Sequence, residues 1–91
     1  MLTAFVLIKA AADSIPETAQ AIADIDGVRE VYSCAGDVDL IAVVGTDRHE
    51  DLAALVPGGI SKVPGVLDTA THIAFRSYSR RDTDEAFAIG D

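Results

Sequence analysis

Ile25-Asp26-Gly27-Val28 recurs as Val63-Pro64-Gly65-Val66, an offset of 38 residues (25 to 63) in a chain of 91. Each copy reads as the end of a helix and the start of a strand. Gly27 can take the left-handed cap that closes a helix, and Pro64-Gly65 is turn chemistry. Upstream of the first copy, Ser14-Ile15-Pro16-Glu17 has the form of a helix start. Ser14 can accept from the Glu17 N–H while the Glu17 side chain reaches back, and Pro16 sits in the first turn, where a missing N–H costs little. Ala19, Ile22, Ala23 and Ile25 then supply an apolar stripe at helical spacing.

Downstream, Val28 to Ala35 reads as a strand, Gly36-Asp37 as a turn, and residues 38–46 as another strand. Asp47 can cap a second helix that begins around Arg48 and buries Leu52, Leu55 and Val56; Pro57-Gly58-Gly59 interrupts it. A short helical piece through Ile60 and Val63 follows. Residues 67–78, rich in Thr, Ile, Phe and Tyr, read as the last strand, and residues 2–10, rich in Val, Ile, Leu and Phe, as the first.

The repeat therefore joins two βαβ-like halves. The expected fold is α+β: a ferredoxin-like βαββαβ unit with a four-stranded antiparallel sheet, strands 1 and 3 central and strands 2 and 4 at the edges. The faces of the central strands carry a further consequence. Leu2, Ala4, Val6 and Ile8 oppose Phe5 and Leu7, and Leu40, Ala42 and Val44 oppose Ile41 and Val43, so both faces are apolar. Two helices cover one face only. The other would be a large apolar patch, and a second copy packed sheet to sheet, as in a dimeric α/β barrel, is its simplest cover. Arg29, Glu30, His72 and Arg76 on the outer strands suit partly solvated edges.

Size points the same way. The chain is one domain, residues 1–79, followed by an acidic tail, residues 80–91. Domains this small need reinforcement. Cys34 is the only cysteine, so no internal disulfide forms, and no Cys and His have zinc spacing. Oligomerisation remains. With 15 acidic and 7 basic residues the net charge is −8, and Arg76, Arg80 and Arg81 are followed at once by Asp82, Asp84 and Glu85. No basic stripe is available for a phosphate backbone, so direct nucleic-acid binding is not expected. The first apolar run is too short to span a membrane and no basic segment precedes it, which with the lone thiol makes a cytoplasmic location the expectation.

Catalytic motifs are missing: there is no phosphate loop, nucleophile elbow or metal-binding helix, and neither His49 nor His72 has an evident nucleophile or metal partner. No catalytic residue, metal or cofactor is assigned. The strongest local signal is Gly36-Asp37-Val38-Asp39-Leu40. Gly-Asp is ordinary hairpin chemistry, but turn N–H groups can also hold a carboxylate and an aspartate an ammonium, and an amino acid carries both. His72 and Cys34 read alone as an edge-strand residue and a structural thiol.

Together these stretches resemble the ligand-binding domain of the leucine-responsive and asparagine-related (Lrp/AsnC) transcription regulators. The resemblance rests on Gly27-Val28, Gly36-Asp37-Val38-Asp39-Leu40, and Val63-Pro64-Gly65-Val66 followed by Thr69-Ala70-Thr71, and covers residues 2–78. It implies homodimers that assemble further, commonly into octamers, with amino-acid effectors bound between dimers. It also implies a pocket near Ser33, Cys34, Gly36, Asp37, Asp39, Thr71, His72 and Ala74. The chain begins directly at the first strand, without the helix-turn-helix of the full-length regulators. It thus resembles the stand-alone form, which senses an amino acid or related metabolite and co-assembles with a full-length regulator. Two other classes share the fold: cofactor-independent monooxygenases or isomerases of the dimeric α/β barrel type, whose pockets lie between sheet and helices, and ACT-type modules, whose sites use a glycine after the first strand. Here Ala10-Ala11-Ala12-Asp13 has no glycine, and the mostly Ala, Val, Leu and Ile strands favour a filled interior.

Overall fold

A computed structural model describes residues 1–80. The elements run β1 (Leu2–Ala10), α1 (Ile15–Ala23), β2 (Val28–Ser33), β3 (Leu40–Thr46), α2 (His49–Leu55), a 3-10 turn (Ile60–Lys62) and β4 (Val66–Ile73). All neighbouring strands are antiparallel, in the order β2-β3-β1-β4. This is the expected βαββαβ sheet, with β1 and β3 central.

One face of the sheet carries the core. Ala4, Val6 and Ile8 of β1 and Leu40, Ala42 and Val44 of β3 are fully buried beneath Ile22 of α1, Leu52 and Leu55 of α2, and Ile60. Burial of each large aliphatic side chain contributes about 1.5–3 kcal/mol. Val56 is buried with Leu52 and Leu55 as their spacing predicts. α2 stops at Leu55, and the 3-10 turn follows Pro57-Gly58-Gly59. A Cβ on Gly58 or Gly59 would stand 2.5 Å and 2.7 Å from the carbonyl oxygens of Ala54 and Leu55, so the chain can wrap this closely only without side chains.

The repeat that predicts the fold is a repeat of geometry. Gly27 and Gly65 both have φ +97°. The Val28 N–H donates to the Ile25 carbonyl and the Val66 N–H to the Val63 carbonyl, each at 3.1 Å. Two identical turns thus launch the two edge strands.

Several local expectations are corrected. Ser14 is the N-cap of α1 but makes no side-chain cap bond, and the buried positions of α1 are Thr18 and Ile22, with Ala23 exposed. The Thr18 hydroxyl is satisfied by the Pro64 carbonyl, 3.1 Å away, so a polar residue occupies a core position that hydrophobic spacing passes over. Arg48, not Asp47, is the N-cap of α2. β2 ends at Ser33, β3 begins at Leu40 and β4 ends at Ile73, because the six residues 34–39 are spent on the turn and the chain leaves the sheet after Ala74 donates to Thr3. The expected tail falls, but for Arg80, outside the described residues.

Candidate functional site

The second face of the sheet is bare of helices. Directly opposed residues of an antiparallel ladder share a face, and the register sets out two rows across all four strands: Glu30–Val43–Phe5–His72 and Tyr32–Ile41–Leu7–Ala70. Both rows have apolar centres and polar or small ends. Phe5, in a central strand, is 40% exposed. Lys9 and Asp68 form a further opposed pair toward the β2–β3 turn. At the far end the Arg29 stem lies against Gly45, its Cδ 3.3 Å from where a Cβ would stand. The Tyr32 hydroxyl donates to Glu30, and that contact with the carboxylate holds the Tyr32 phenol above its usual value.

A cleft of about 430 Å³ opens at the rim of this face, lined by Met1, Thr3, Phe5, Phe75, Arg76 and Tyr78 among others. The Arg76 guanidinium carbon lies 5.6 Å from the Tyr78 ring centre, within cation–π range. The cleft is hidden in the sequence because residues up to 78 suit a strand; its cue is the aromatic and basic run Phe75-Arg76-Ser77-Tyr78 itself.

The β2–β3 turn and the last residue of β2, Ser33, hold five of the expected site residues. Cys34 N–H donates to the Asp39 carbonyl at 2.8 Å, and Asp39 N–H donates to the Ile8 carbonyl at 2.9 Å. The Asp39 carboxylate accepts from Ala10 N–H at 2.9 Å. Asp39 is therefore a brace between the turn and β1, with one carboxylate oxygen already engaged. Gly36, at φ +131°, has no neighbouring atom within 4 Å of where a Cβ would stand, so the turn tip projects into the open. Asp37 is exposed beside it, as is Ser33, and Cys34 is half-buried with its thiol 3.6 Å from the Tyr32 carbonyl.

Thr71, His72 and Ala74 lie elsewhere. Asp39 is level with Ile8 to Ala10, whereas His72 is opposite Phe5 and Ala74 donates to Thr3. Four residues of strand separate the two levels, roughly 13 Å, and β1 runs between them. Thr71 is opposite Val6 and shares the helix-side face, so it points away from His72. One chain does not bring the two groups into a single pocket. Among the described residues no three His, Cys, Asp or Glu side chains converge as metal ligands would, and no helix is long and apolar enough to cross a membrane.

Comparison with known proteins gives a consistent result. Residues 3–84 match the family model described as the Lrp/AsnC ligand binding domain. The HTH-type transcriptional regulator FL11 of Pyrococcus abyssi is 31% identical over 77 residues, which are 85% of this chain and 50% of that protein. The chain thus spans about half the length of the curated relatives it matches. Among solved structures, TTHA0845 from Thermus thermophilus superposes with a TM-score of 0.82 at 42% identity, covering 88% of this chain and all of that one. A transcriptional regulator of Neisseria meningitidis, solved as a complex with L-Met, shares the fold at TM-score 0.77 and 16% identity, over 87% of this chain and 53% of that one.

Proposed function

The chain belongs to the family of Lrp/AsnC ligand-binding domains, and on that premise we propose that it is a regulatory module, not a catalyst, that acts as an assembly of copies and binds an amino acid or a related small metabolite. The observation that carries this reading is the bare sheet face. Phe5 is two-fifths exposed in a central strand, and Leu7, Ile41 and Val43 share its face. Exposed apolar patches of this kind mark interaction surfaces, and a second copy presents the same patch, as a two-fold dimer requires. The opposite face is filled: Ile8, Ile22, Leu40 and Ile60 are completely buried, which argues against a substrate cavity between sheet and helices.

The amino-acid reading draws on the Neisseria meningitidis regulator of the same fold, which was solved with L-Met, and on the chemistry of the β2–β3 turn. Exposed N–H groups around Gly36 suit a carboxylate and Asp37 suits an ammonium. Thr71, His72 and Ala74 would join such a site only from a neighbouring subunit, because within one chain they lie a different distance along the sheet. Co-assembly with a full-length regulator would link ligand binding to transcription, and the chain's −8 charge argues against direct contact with DNA.

A thermal-shift screen of the amino acids tests the proposal. A ligand that binds only the native assembly raises its melting temperature by mass action. No shift with any amino acid, at millimolar concentration, would remove the ligand half of the reading and leave the assembly half standing.

A further inference from the structure

We propose that Glu30 of one copy pairs with His72 of the other across the sheet-to-sheet interface, twice per dimer, fixing how the copies stack and making the dimer tighter when the imidazole is protonated. The inference rests on the proposed docking of two bare faces and concerns what that face contains. Glu30 and His72 end the same row, Glu30–Val43–Phe5–His72, at opposite edges of the sheet. Three strand spacings keep them roughly 14 Å apart within a chain, so neither satisfies the other there.

A two-fold axis between the stacked sheets can run along the strands or across them. An axis across the strands stacks each strand on its own copy, β2 on β2 and β4 on β4, so that Glu30 cannot meet His72 wherever along the strands the axis passes. An axis along the strands reverses the order, setting β2 over β4 and β3 over β1. Glu30 then meets His72, and Val43 meets Phe5, at both ends of one row. In the neighbouring row Ile41 meets Leu7, and Tyr32 meets the small Ala70. Only this second arrangement brings the carboxylate of β2 and the imidazole of β4 together. Stacked sheets lie about 10 Å apart, a gap that a glutamate and a histidine side chain bridge together. The usual rotation of about 30° between aligned sheets moves the edges by roughly 4 Å, within the reach of those side chains.

Other charged and titratable groups share this face with the pair. Around His72 they are Asp68 and Lys9 toward the turn end and Arg76 toward the cleft. Around Glu30 they are Arg29 and the Tyr32 hydroxyl. The second imidazole, His49, is on α2, in the helical layer.

Sedimentation equilibrium on charge-swapped full-length chains tests the pair. At pH 5.5, where the imidazole is charged, Glu30→Arg alone and His72→Glu alone each set like charges opposite each other at two places, and each should raise the dimer dissociation constant roughly 10-fold. The double variant should recover most of that loss; a double variant no tighter than the singles would overturn the pairing. Wild type should bind about 3- to 10-fold more tightly at pH 5.5 than at pH 8, since only the imidazolium attracts the carboxylate, and His72→Gln should abolish the difference. Because both side chains sit at exposed edges, the variants should fold, which circular dichroism checks. A second measurement is independent of affinity. In a Cys34→Ser background, a short bismaleimide should join Glu30→Cys to His72→Cys in a mixture. Glu30→Cys joined to itself would establish the other axis and overturn the proposal. A wild-type chain that stays monomeric throughout would instead sink the underlying dimer.

Discussion

The Cβ that Gly65 lacks would stand 2.2 Å from the hydroxyl oxygen of Thr18, inside any allowed contact. Thr18 is fully buried in α1, and its hydroxyl donates to the Pro64 carbonyl next door. Helix and turn are thus locked at a separation that only glycine permits, and β4 starts from that lock. Gly27 has the same φ, +97°, but its missing Cβ would meet the Leu55 side chain at 3.2 Å, a neighbour able to shift.

The two turns should therefore respond differently to one methyl group. Gly27→Ala should lose about 1–3 kcal/mol, the usual cost of an unfavourable backbone conformation. Gly65→Ala should lose more, because the clash is added to that strain. Urea titrations of both variants measure this. Equal losses would mean that backbone strain alone sets the cost.

How far the sequence revealed the molecule differs between its layers. β1 and the strand order are legible because Leu2 to Ala10 alternates on two apolar faces and the Gly27 and Gly65 turns repeat. The ends of β2, β3 and β4 are not, because the residues beyond them, such as Cys34-Ala35 and Phe75, suit a strand; they leave it for reasons of hydrogen bonding. Asp39 is spent on the Ala10 N–H and Ala74 makes the last bond to Thr3, and neither partner is near in sequence. Thr18 was invisible to hydrophobic spacing because its burial depends on a carbonyl 46 residues away. Of the expected site, the turn group from Ser33 to Asp39 does gather in space. The β4 group lies elsewhere because alternation along a strand separates Thr71 from His72.

Charge on the bare face should dissociate the assembly without unfolding the chain. Phe5→Asp and Leu7→Asp point away from the core of Val6, Ile8 and Ile22, so each should keep the wild-type circular dichroism spectrum. Each would bury unpaired charges in a dimer, a cost of several kcal/mol, and light scattering should report a monomer where wild type reports at least a dimer. Val6→Asp, on the fully buried side, should unfold instead. A wild-type mass equal to one chain at micromolar concentration would contradict the reading.

Tyr32 offers a spectroscopic view of the same face. The Glu30 carboxylate raises its phenol above the ordinary tyrosine value by accepting its hydrogen bond and, secondarily, through its charge. A raised value means that the folded chain holds the proton more tightly than the unfolded one. The small stabilisation is complete below pH 10 and fades as pH rises beyond it. Ultraviolet titration of tyrosinate follows both tyrosines, and the Tyr32 ionisation should move down in Glu30→Gln. Two unchanged ionisations in that variant would show that the hydroxyl does not engage Glu30 in solution.

The two aspartates of the turn should separate binding from stability. Asp37 is exposed beside a turn tip that nothing covers, whereas Asp39 accepts from Ala10 N–H and its own backbone ties Cys34 and Ile8 together. Asp37→Ala should leave the melting temperature unchanged. It should weaken an amino-acid ligand found by the thermal-shift screen by roughly 30- to 150-fold, the equivalent of about 2–3 kcal/mol for one lost charge-assisted contact. Asp39→Ala removes the brace and should lower stability by about 1–2 kcal/mol, with any loss of affinity following from the loosened turn. Asp39→Asn keeps an oxygen to accept from Ala10 and should restore most of the stability. Calorimetric titration of the three variants distinguishes the roles. If Asp37→Ala binds as wild type does while Asp39→Asn, still folded, does not, the ammonium is held by Asp39 and the division of labour is reversed. If all three bind as wild type does, the turn is a structural hairpin and the ligand lies elsewhere.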